Sequence, residues 1–440
     1  MRSLKYIIIL LFIAGAQLSN AQQTVYTLQQ CLQIAIRNNL TAQQDSVTAQ
    51  TARINYLQAK ENMLPYISGG ANRDLESGRA VNPVTNTYIT QSVTSDNYNL
   101  SGQITVFNGL ALQGAVKQAS YAYQSGKMAF QAAKDLVTVN VITNYLQVLD
   151  AKDMLNQDTS QLDVAKESLD RSEILEQHGD NKFASDVYDL RGSYQTAKVN
   201  LVVAQNNLDA AMLNLFQLMN VPYDKTAQLQ PLNAEDLKGD NGINPDDIYN
   251  TALSTLAEMK AATLMRQSAE SEVKYYRGLL YPQLYLGSGI ETNYSNLNTS
   301  PYFDQFRNNY GTYVQIGVNI PIFTNLTHRN NLSIAKLNLL NYQYIETNTR
   351  IQLKQSVETA YYNMASAYKR YQALDDEVKA YTESFRISKI RYEAGVLNSV
   401  DFVTSKNNMD GAQLAFISAR YDYIIYSKIL DYYQGKLASL

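Results

Sequence analysis

Residues 141–169, VITNYLQVLDAKDMLNQDTSQLDVAKESL, decide the fold. Val141, Val148, Leu155, Leu162 and Leu169 recur every seven residues, the period of a helix that buries one seam against a partner. They lie in a stretch from Asn108 to His178 that holds no proline. At a rise of 1.5 Å per residue, about 70 helical residues reach about 105 Å. The same pattern occurs twice. At an offset of 216, Val357, Met364, Tyr371, Val378 and Phe385 repeat the heptads, and Thr324 to Ala394 again lacks proline. Pro65 answers Pro282 (offset 217), Phe107 answers Phe323 and Ala119 answers Ala335 (216), Gly179 answers Gly395 (216), and Asp186 answers Asp401 (215). Chance does not hold an offset so nearly constant across helix ends, heptads and turns. The period is too long for a solenoid unit, so it marks tandem duplication of a whole subdomain.

Outward from the rods, a short turn leads to a second helix in each copy, over about 184–218 and 399–436. The seam Val187, Leu190, Tyr194, Ala197, Leu201 and Ala204 is matched by Phe402, Ser405, Met409, Ala412, Phe416 and Ala419, a 3-and-4 spacing that predicts antiparallel coiled coils. The helices predicted at 28–62 and 246–279 are about half as long as the rods. Each ends before a proline, Pro65 or Pro282. The economical arrangement stacks two half-length helices end to end beside each rod. The chain is thus divided into a first repeat, 22–220 (hairpin 66–107, coiled coil 108–218), a linker or equatorial segment, 221–245, and a second repeat, 246–440 (hairpin 283–321, coiled coil 324–436). Pro222, Pro231, Gly239, Gly242 and Pro245 punctuate the linker.

Composition sets the compartment. Residues 1–21 carry Arg2 and Lys5, an apolar run from Tyr6 to Ala14, and a small-residue end at Ser19-Asn20-Ala21. This reads as a secretory signal peptide cleaved before Gln22. Its removal takes away two positive charges and moves the net charge from −3 to −5. No nucleic-acid partner is expected from such a balance. Cys31 is the only cysteine, so no internal disulfide and no cysteine metal site are expected. No other run approaches the length of a transmembrane helix. A secreted chain enters a membrane only as a β-barrel.

Strands lie between the helices of each copy. In 97–106, Tyr98, Leu100, Gly102, Ile104 and Val106 alternate with polar residues, and in 313–320 Val314, Ile316, Val318 and Ile320 do the same. Their hairpin partners are predicted at 66–75 and 283–292, with Asn-, Thr- and Ser-rich loops at 77–95 and 294–309. The lengths suit a membrane strand, although a soluble hairpin with one wet face alternates equally well. The signal peptide and the 34 tyrosines favour the membrane, with Tyr66, Tyr281, Tyr302 and Tyr310 as candidates for an interfacial girdle. Four strands cannot close a barrel, and open edges cannot face lipid. Two copies give a filled eight-stranded barrel, and three give twelve strands and an open lumen. The expected fold is therefore mainly α with a small β part. Duplicated antiparallel coiled coils form a trimeric α-barrel, and four strands per chain enter a twelve-stranded transmembrane β-barrel.

At this point the mature chain resembles the TolC-like outer-membrane efflux proteins. The resemblance rests on Thr27-Leu28-Gln29-Gln30-Cys31-Leu32-Gln33-Ile34-Ala35 with Asn38-Asn39, on Leu64-Pro65, on Val106-Phe107-Asn108-Gly109 and Pro321-Ile322-Phe323, and above all on Arg391-Tyr392-Glu393-Ala394-Gly395 followed by Asp401. It implies a homotrimer in the outer membrane of a Gram-negative-type cell, with a long periplasmic extension. Such a trimer is the passive exit duct of a tripartite efflux or type I secretion system. A periplasmic adaptor (membrane fusion) protein joins it to an inner-membrane pump.

The resemblance also implies roles for residues. Asp401 matches an aspartate of the constricting ring, while Asp186 and Tyr392 match residues linking the helix pairs at the pore gate. Thr404 stands where a second aspartate ring is found in the best-known members, and Leu397 replaces an arginine of the linking network. The turns Gly179-Asp180-Asn181 and Gly395-Val396-Leu397 are the expected adaptor-docking tips, and Ile104, Val106, Val314, Ile316 and Val318 the expected lipid-facing residues. Asp186 and Asp401 equally suit a first-turn role, offsetting the helix dipole beside Ser185 and Ser399 as caps. No enzyme, metal or cofactor is expected, because His178 and His328 lie in different copies and no nucleophile or phosphate-loop motif occurs. The rival from another class is a secreted coiled-coil scaffold or adhesin without a channel.

Overall fold

The computed structural model describes residues 25–82, 85–178, 184–231 and 244–436. The signal-peptide reading therefore lies outside the described residues, as do Gly179, Asp180 and Asn181. In chain order the elements are β1 (Val25–Tyr26), α1 (Leu28–Asn38), α2 (Leu40–Glu61), β2 (Tyr66–Val81), β3 (Tyr88–Phe107), α3 (Ala111–Gln177), α4 (Ala184–Leu218) and β4 (Gln228–Leu229). They continue with α5 (Pro245–Thr255), α6 (Ala257–Gly278), β5 (Gln283–Ser295), α7 (Tyr302–Asn308), β6 (Gly311–Asn319), α8 (Thr327–Glu393) and α9 (Ser399–Tyr433). The halves match in length: α3 and α8 have 67 residues each, and α4 and α9 have 35 each.

The half-length helices are each broken once, contrary to the uninterrupted spans 28–62 and 246–279. Asn39 leaves the helical region (φ −68°, ψ 117°), and its N–H, donating to the Ala35 carbonyl at 2.8 Å, makes the last bond of α1. Its Oδ1 then accepts the Ala42 N–H at 2.9 Å and caps α2. In the second half Leu256 makes the same break (φ −66°, ψ 134°). Neither site holds proline or glycine, so the break carries no punctuation in the sequence. At the start of α1, Thr27 and Gln30 form a reciprocal capping box.

Two compact units each take segments from both halves. One comprises the described residues within Met1–Gln43, Ala132–Leu256 and Gln352–Leu440, the other Gln44–Gln131 and Ala257–Ile351. In the first unit, the heptad residues Val141 and Val148 of α3 are buried with Cys31, Leu32 and Ala35 of α1, and with Leu215, Phe216 and Met219 at the end of α4. The segment expected as linker contributes β4, which pairs in parallel with β1. The Tyr145 hydroxyl donates to the Gln230 carbonyl at 2.6 Å beside this pair. A second cluster sets Val357 and Met364 of α8 against Ile248, Ala252 and Leu256, and against Tyr423 and Leu430 of α9.

The second unit holds the sheet, ordered β2-β3-β5-β6 and antiparallel throughout. Its register aligns Ile67, Gly102, Ser288 and Val314 in one row and Ile104, Leu286 and Ile316 in the next. Because side chains alternate across a strand, one face is largely apolar. On the other face Tyr285 lies over Gly317 and Tyr313 over Gly289. A bulge between Thr105 and Phe107 places Phe107, not Val106, opposite Leu284.

The first hairpin is longer than its predicted strands. Pairing continues to Val81↔Tyr88, so most of the expected loop 77–95 is strand. In this part Ile89 and the buried Val93 stand among polar residues, without the sustained alternation that announces a strand. Asp96, buried inside it, receives both Arg73 Nε and Nη2 at 2.6 Å. Within the expected loop 294–309 the short helix α7 folds back. The buried Gln305 amide accepts from the Ser295 N–H and donates to the carbonyls of Ser295, Asn298 and Ser300. Tyr302 shares a 2.6 Å hydrogen bond with Tyr98 and is only partly exposed, whereas Tyr66, Tyr281 and Tyr310 are exposed.

The return from β3 to α3 turns on Gly109 (φ +66°), where a Cβ would collide with the Gly278 carbonyl. The left-handed backbone alone should cost about 1–2 kcal/mol in a Gly109→Ala protein. Its thermal midpoint should fall accordingly. Gly192→Ala is the control, since a Cβ there meets nothing within 4 Å and a helix-interior alanine is favoured.

Candidate functional site

The candidate site is the end of the first unit where α8 gives way to α9, beside the start of α4. α8 stops in a glycine turn. Gly395 adopts φ +72°, the Val396 N–H reaches the Arg391 carbonyl at 2.9 Å, and the Gly395 N–H reaches the Tyr392 carbonyl at 3.0 Å. Those two bonds are a Schellman motif, which satisfies carbonyls orphaned at a helix end. Two residues on, Asn398 is the N-cap of α9: its Oδ1 accepts the Asp401 N–H at 2.8 Å, and its Nδ2 donates to Asp401 Oδ2 at 3.0 Å. The cap is thus Asn398 and not Ser399, because Ser399 already lies inside the first turn.

Ser399 does other work. It is buried, and its Oγ lies 2.9 Å from Asp186 Oδ1 and 2.8 Å from Asp189 Oδ2. One hydroxyl of the second repeat therefore joins two carboxylates on successive turns of α4 in the first. The Tyr392 ring stacks on Phe402 (centroids 4.6 Å, 18° between planes), which packs in turn on Phe385. Burial raises the Tyr392 phenol above its ordinary pKa, and the Asp186 charge adds to the effect. Leu169, Val187 and Leu190 complete the apolar cluster, with Leu397, Val403 and Met409 packed against it. Arg171 reaches across to Glu393, 3.3 Å between Nη1 and Oε1.

The structure separates the sequence-derived residues into two groups. Asp186 and Tyr392 come together in the packed interior of the site, and Leu397 turns in beside them. Asp401 and Thr404 lie on the exposed side of α9, three residues apart and therefore on neighbouring positions of one helix face. Gly395 is exposed, and so are Val396 and Val400. In the other unit Val106, Val314, Ile316 and Val318 are exposed and Ile104 is half-buried. Sequence reading missed Asn398 and Asp189, and read Ser399 only as a cap. An Asn three residues ahead of Asp401 was a readable cap signal, whereas the link from Ser399 to Asp189 spans 210 positions and leaves no local trace. Among the described residues no group of histidine, cysteine or acidic side chains could hold a metal ion. No described helix is long and apolar enough to cross a membrane.

Known proteins resemble this chain in sequence and in fold. The sequence model of a family described as "Outer membrane efflux protein" matches residues 31–221 and 248–435. The chain is 23% identical to the toxin and drug export protein A of Aggregatibacter actinomycetemcomitans, over 93% of this chain and 87% of that one. It is 22% identical to the cation efflux system protein CusC of Escherichia coli K12, over 88% and 81%. Among solved structures, the outer membrane protein VceC of Vibrio cholerae superposes with a TM-score of 0.76 at 14% identity, covering 93% of this chain and 95% of that one; this likeness is one of fold.

The glycine turn yields a test. Nothing within 4 Å would meet a Cβ at Gly395, so Gly395→Val should cost about 1–2 kcal/mol through its positive φ alone. Amide exchange at Val396 should quicken, and Gly395→Asn should recover part of the protection, because asparagine tolerates the left-handed region.

Proposed function

The chain belongs to the outer membrane efflux protein family, and on that premise we propose that three copies form the passive exit duct of a tripartite efflux or type I secretion system. The family is one of outer-membrane channels rather than enzymes, and the outer membrane is the location of this protein. The observation that carries the proposal is the four-stranded sheet. Its outer strands, β2 and β6, each have one unpaired edge. Val314, Ile316 and Val318 on β6 are 78%, 75% and 61% exposed. Apolar side chains beside unpaired backbone groups are stable in lipid only if a neighbouring strand completes the ladder. Joining β6 of one copy to β2 of the next removes every edge, and three copies make a twelve-stranded barrel wide enough for a lumen.

In this reading the long helices are the periplasmic wall of the duct. A periplasmic adaptor, itself bound to an inner-membrane pump, meets the helix ends at Gly395 and Val396, with Val400 exposed alongside. The equivalent turn of the first repeat, Gly179-Asp180-Asn181, is assigned the same role from sequence. Leu397 supports the turn from inside. Asp401 and Thr404 face the pore, with Asp186, Ser399 and Tyr392 holding α9 in place behind them. The purified protein is expected to be a detergent-resistant trimer retained in outer membranes at high salt. A monomer carrying all its strands, or one that washes out with salt, would instead favour the scaffold reading.

Arg in place of Ile316 should cost about 2–4 kcal/mol near the bilayer midplane. The measurement is the fraction of protein inserted in the outer membrane, which should drop while expression is unchanged.

Three Asp401 carboxylates about 6 Å apart repel by roughly 3 kcal/mol per pair at an effective dielectric of 20. Such a ring attracts cations. Asp401→Ala should lower cation preference and weaken divalent block in single-channel recordings. Unchanged selectivity and block, with only a modest loss of stability, would confine Asp401 to its bond with Asn398 at the helix end.

A further inference from the structure

Some way along α9 from the candidate gate, charge is buried between the two repeats. Lys406, Asp158 and Asp410 are 3%, 6% and 8% exposed. Asp158 comes from α3, and the other two stand one turn apart on α9. Lys406 Nζ bonds Asp410 Oδ2. Gln161, also buried, sends its Nε2 toward the Asp410 backbone carbonyl at 3.5 Å. One oxygen on each carboxylate, Asp158 Oδ1 and Asp410 Oδ1, is buried and has no hydrogen-bond partner among the described residues. The charged groups acting on Asp158 are Asp410 and Lys406, and the one acting on Asp410 is Lys406.

Two carboxylates facing one ammonium leave a negative charge uncompensated, and a buried unpaired charge is strongly unfavourable. A single added proton resolves this. As a carboxylic acid, Asp158 gives up its charge and becomes a donor, which leaves Asp410 as the one carboxylate for Lys406 to balance. We propose that Asp158, Asp410 and Lys406 form a proton-binding site that clamps α3 to α9. Burial, above all, favours the protonated form of both carboxyls, with the Asp410 charge adding to the effect at Asp158 and Lys406 opposing it. The sign follows from linkage. A carboxyl whose folded pKa is raised contributes stability fully below its unfolded pKa, and that stability is lost as pH rises through the folded value. The α3–α9 junction is therefore tightest in acid and loosens toward alkaline pH. Asp401 rides on the first turn of the helix so held.

The test uses the full-length protein in detergent and needs neither pore nor export, so it stands or falls separately from the channel reading. Asp150, raised to about 6 chiefly by burial and then by Asp422 and Asp153, is first replaced by Asn to remove a competing titration. In that background the ratio of folded to unfolded protein should fall by up to about tenfold per pH unit between the ordinary carboxyl range and the raised folded value of the site, and level off above it. Asp158→Asn, which carries a neutral donor permanently, should flatten this slope and keep the low-pH stability at pH 8. Infrared difference spectra between acid and alkaline pH should show a protonated-carboxyl band that Asp158→Asn or Asp410→Asn diminishes. An Asp158→Asn protein with the parental pH slope and an unchanged band would overturn the proposal. If Asp158→Asn does not fold, the parental spectrum and Asp410→Asn decide it: a band that Asp410→Asn leaves unaltered counts against a shared proton.

Discussion

A 67-residue helix has to cover its apolar seam along its whole length, and most of the architecture follows from that requirement. Intrinsic propensity does not hold such a rod, since helices in water are stabilised mainly by packing an amphipathic face. Each rod is therefore accompanied by antiparallel partners. Val187 and Leu190 of α4 cluster with Leu169 near one end of α3, and Leu215 and Phe216 meet Val141 and Val148 farther back. α8 finds Tyr423 and Leu430 of α9 in the same way. The duplication supplies two such assemblies from one plan, and the strands at their ends join one four-stranded sheet.

Packing of this kind leaves little room for polar groups in the seam, so those that occur there are specific. Ser399 reaches Asp186 and Asp189, Arg420 reaches Asp153 at 2.6 Å, and Lys406 bonds Asp410. Ser399 and Arg420 join the first repeat to the second. An apolar seam tolerates sliding by a turn, whereas a buried polar pair does not, because a shifted register would leave its members unpaired. In the proposed duct this fixes where α9 sits, and with it where Asp401 points. Leu397 fits the same picture: its side chain packs against the apolar cluster, and α9 is held there by stacking of Phe402 on Tyr392 and by the Ser399 hydroxyl.

The sheet obeys a different rule. Its backbone groups must all be paired where lipid excludes water, which a single chain with two free edges cannot do. The glycines opposite Tyr285 and Tyr313 give the second face room for large rings, a pairing that also helps set register in curved sheets. Beyond the apolar rows the first hairpin continues with mostly polar residues around Ile89 and the buried Val93, held by its ladder and by the Arg73–Asp96 pair.

The long helices, their duplication, the position of the sheet strands and the glycine turn at Gly395 were all legible in the order of residues. Each of these rests on local periodicity or on one residue's backbone preference, and local physics is written locally. The sequence also marked Asp186, Tyr392 and Asp401. It did not contain the breaks at Asn39 and Leu256, which no proline or glycine announces, nor the extension of the first hairpin, where Ile89 and Val93 stand among polar residues without sustained alternation. Ser399 was legible only as a cap, because its partners lie more than 200 positions away. Which carboxylates are buried together follows from folding alone, since burial and charge pairing depend on helix faces brought into contact by segments far apart in the chain.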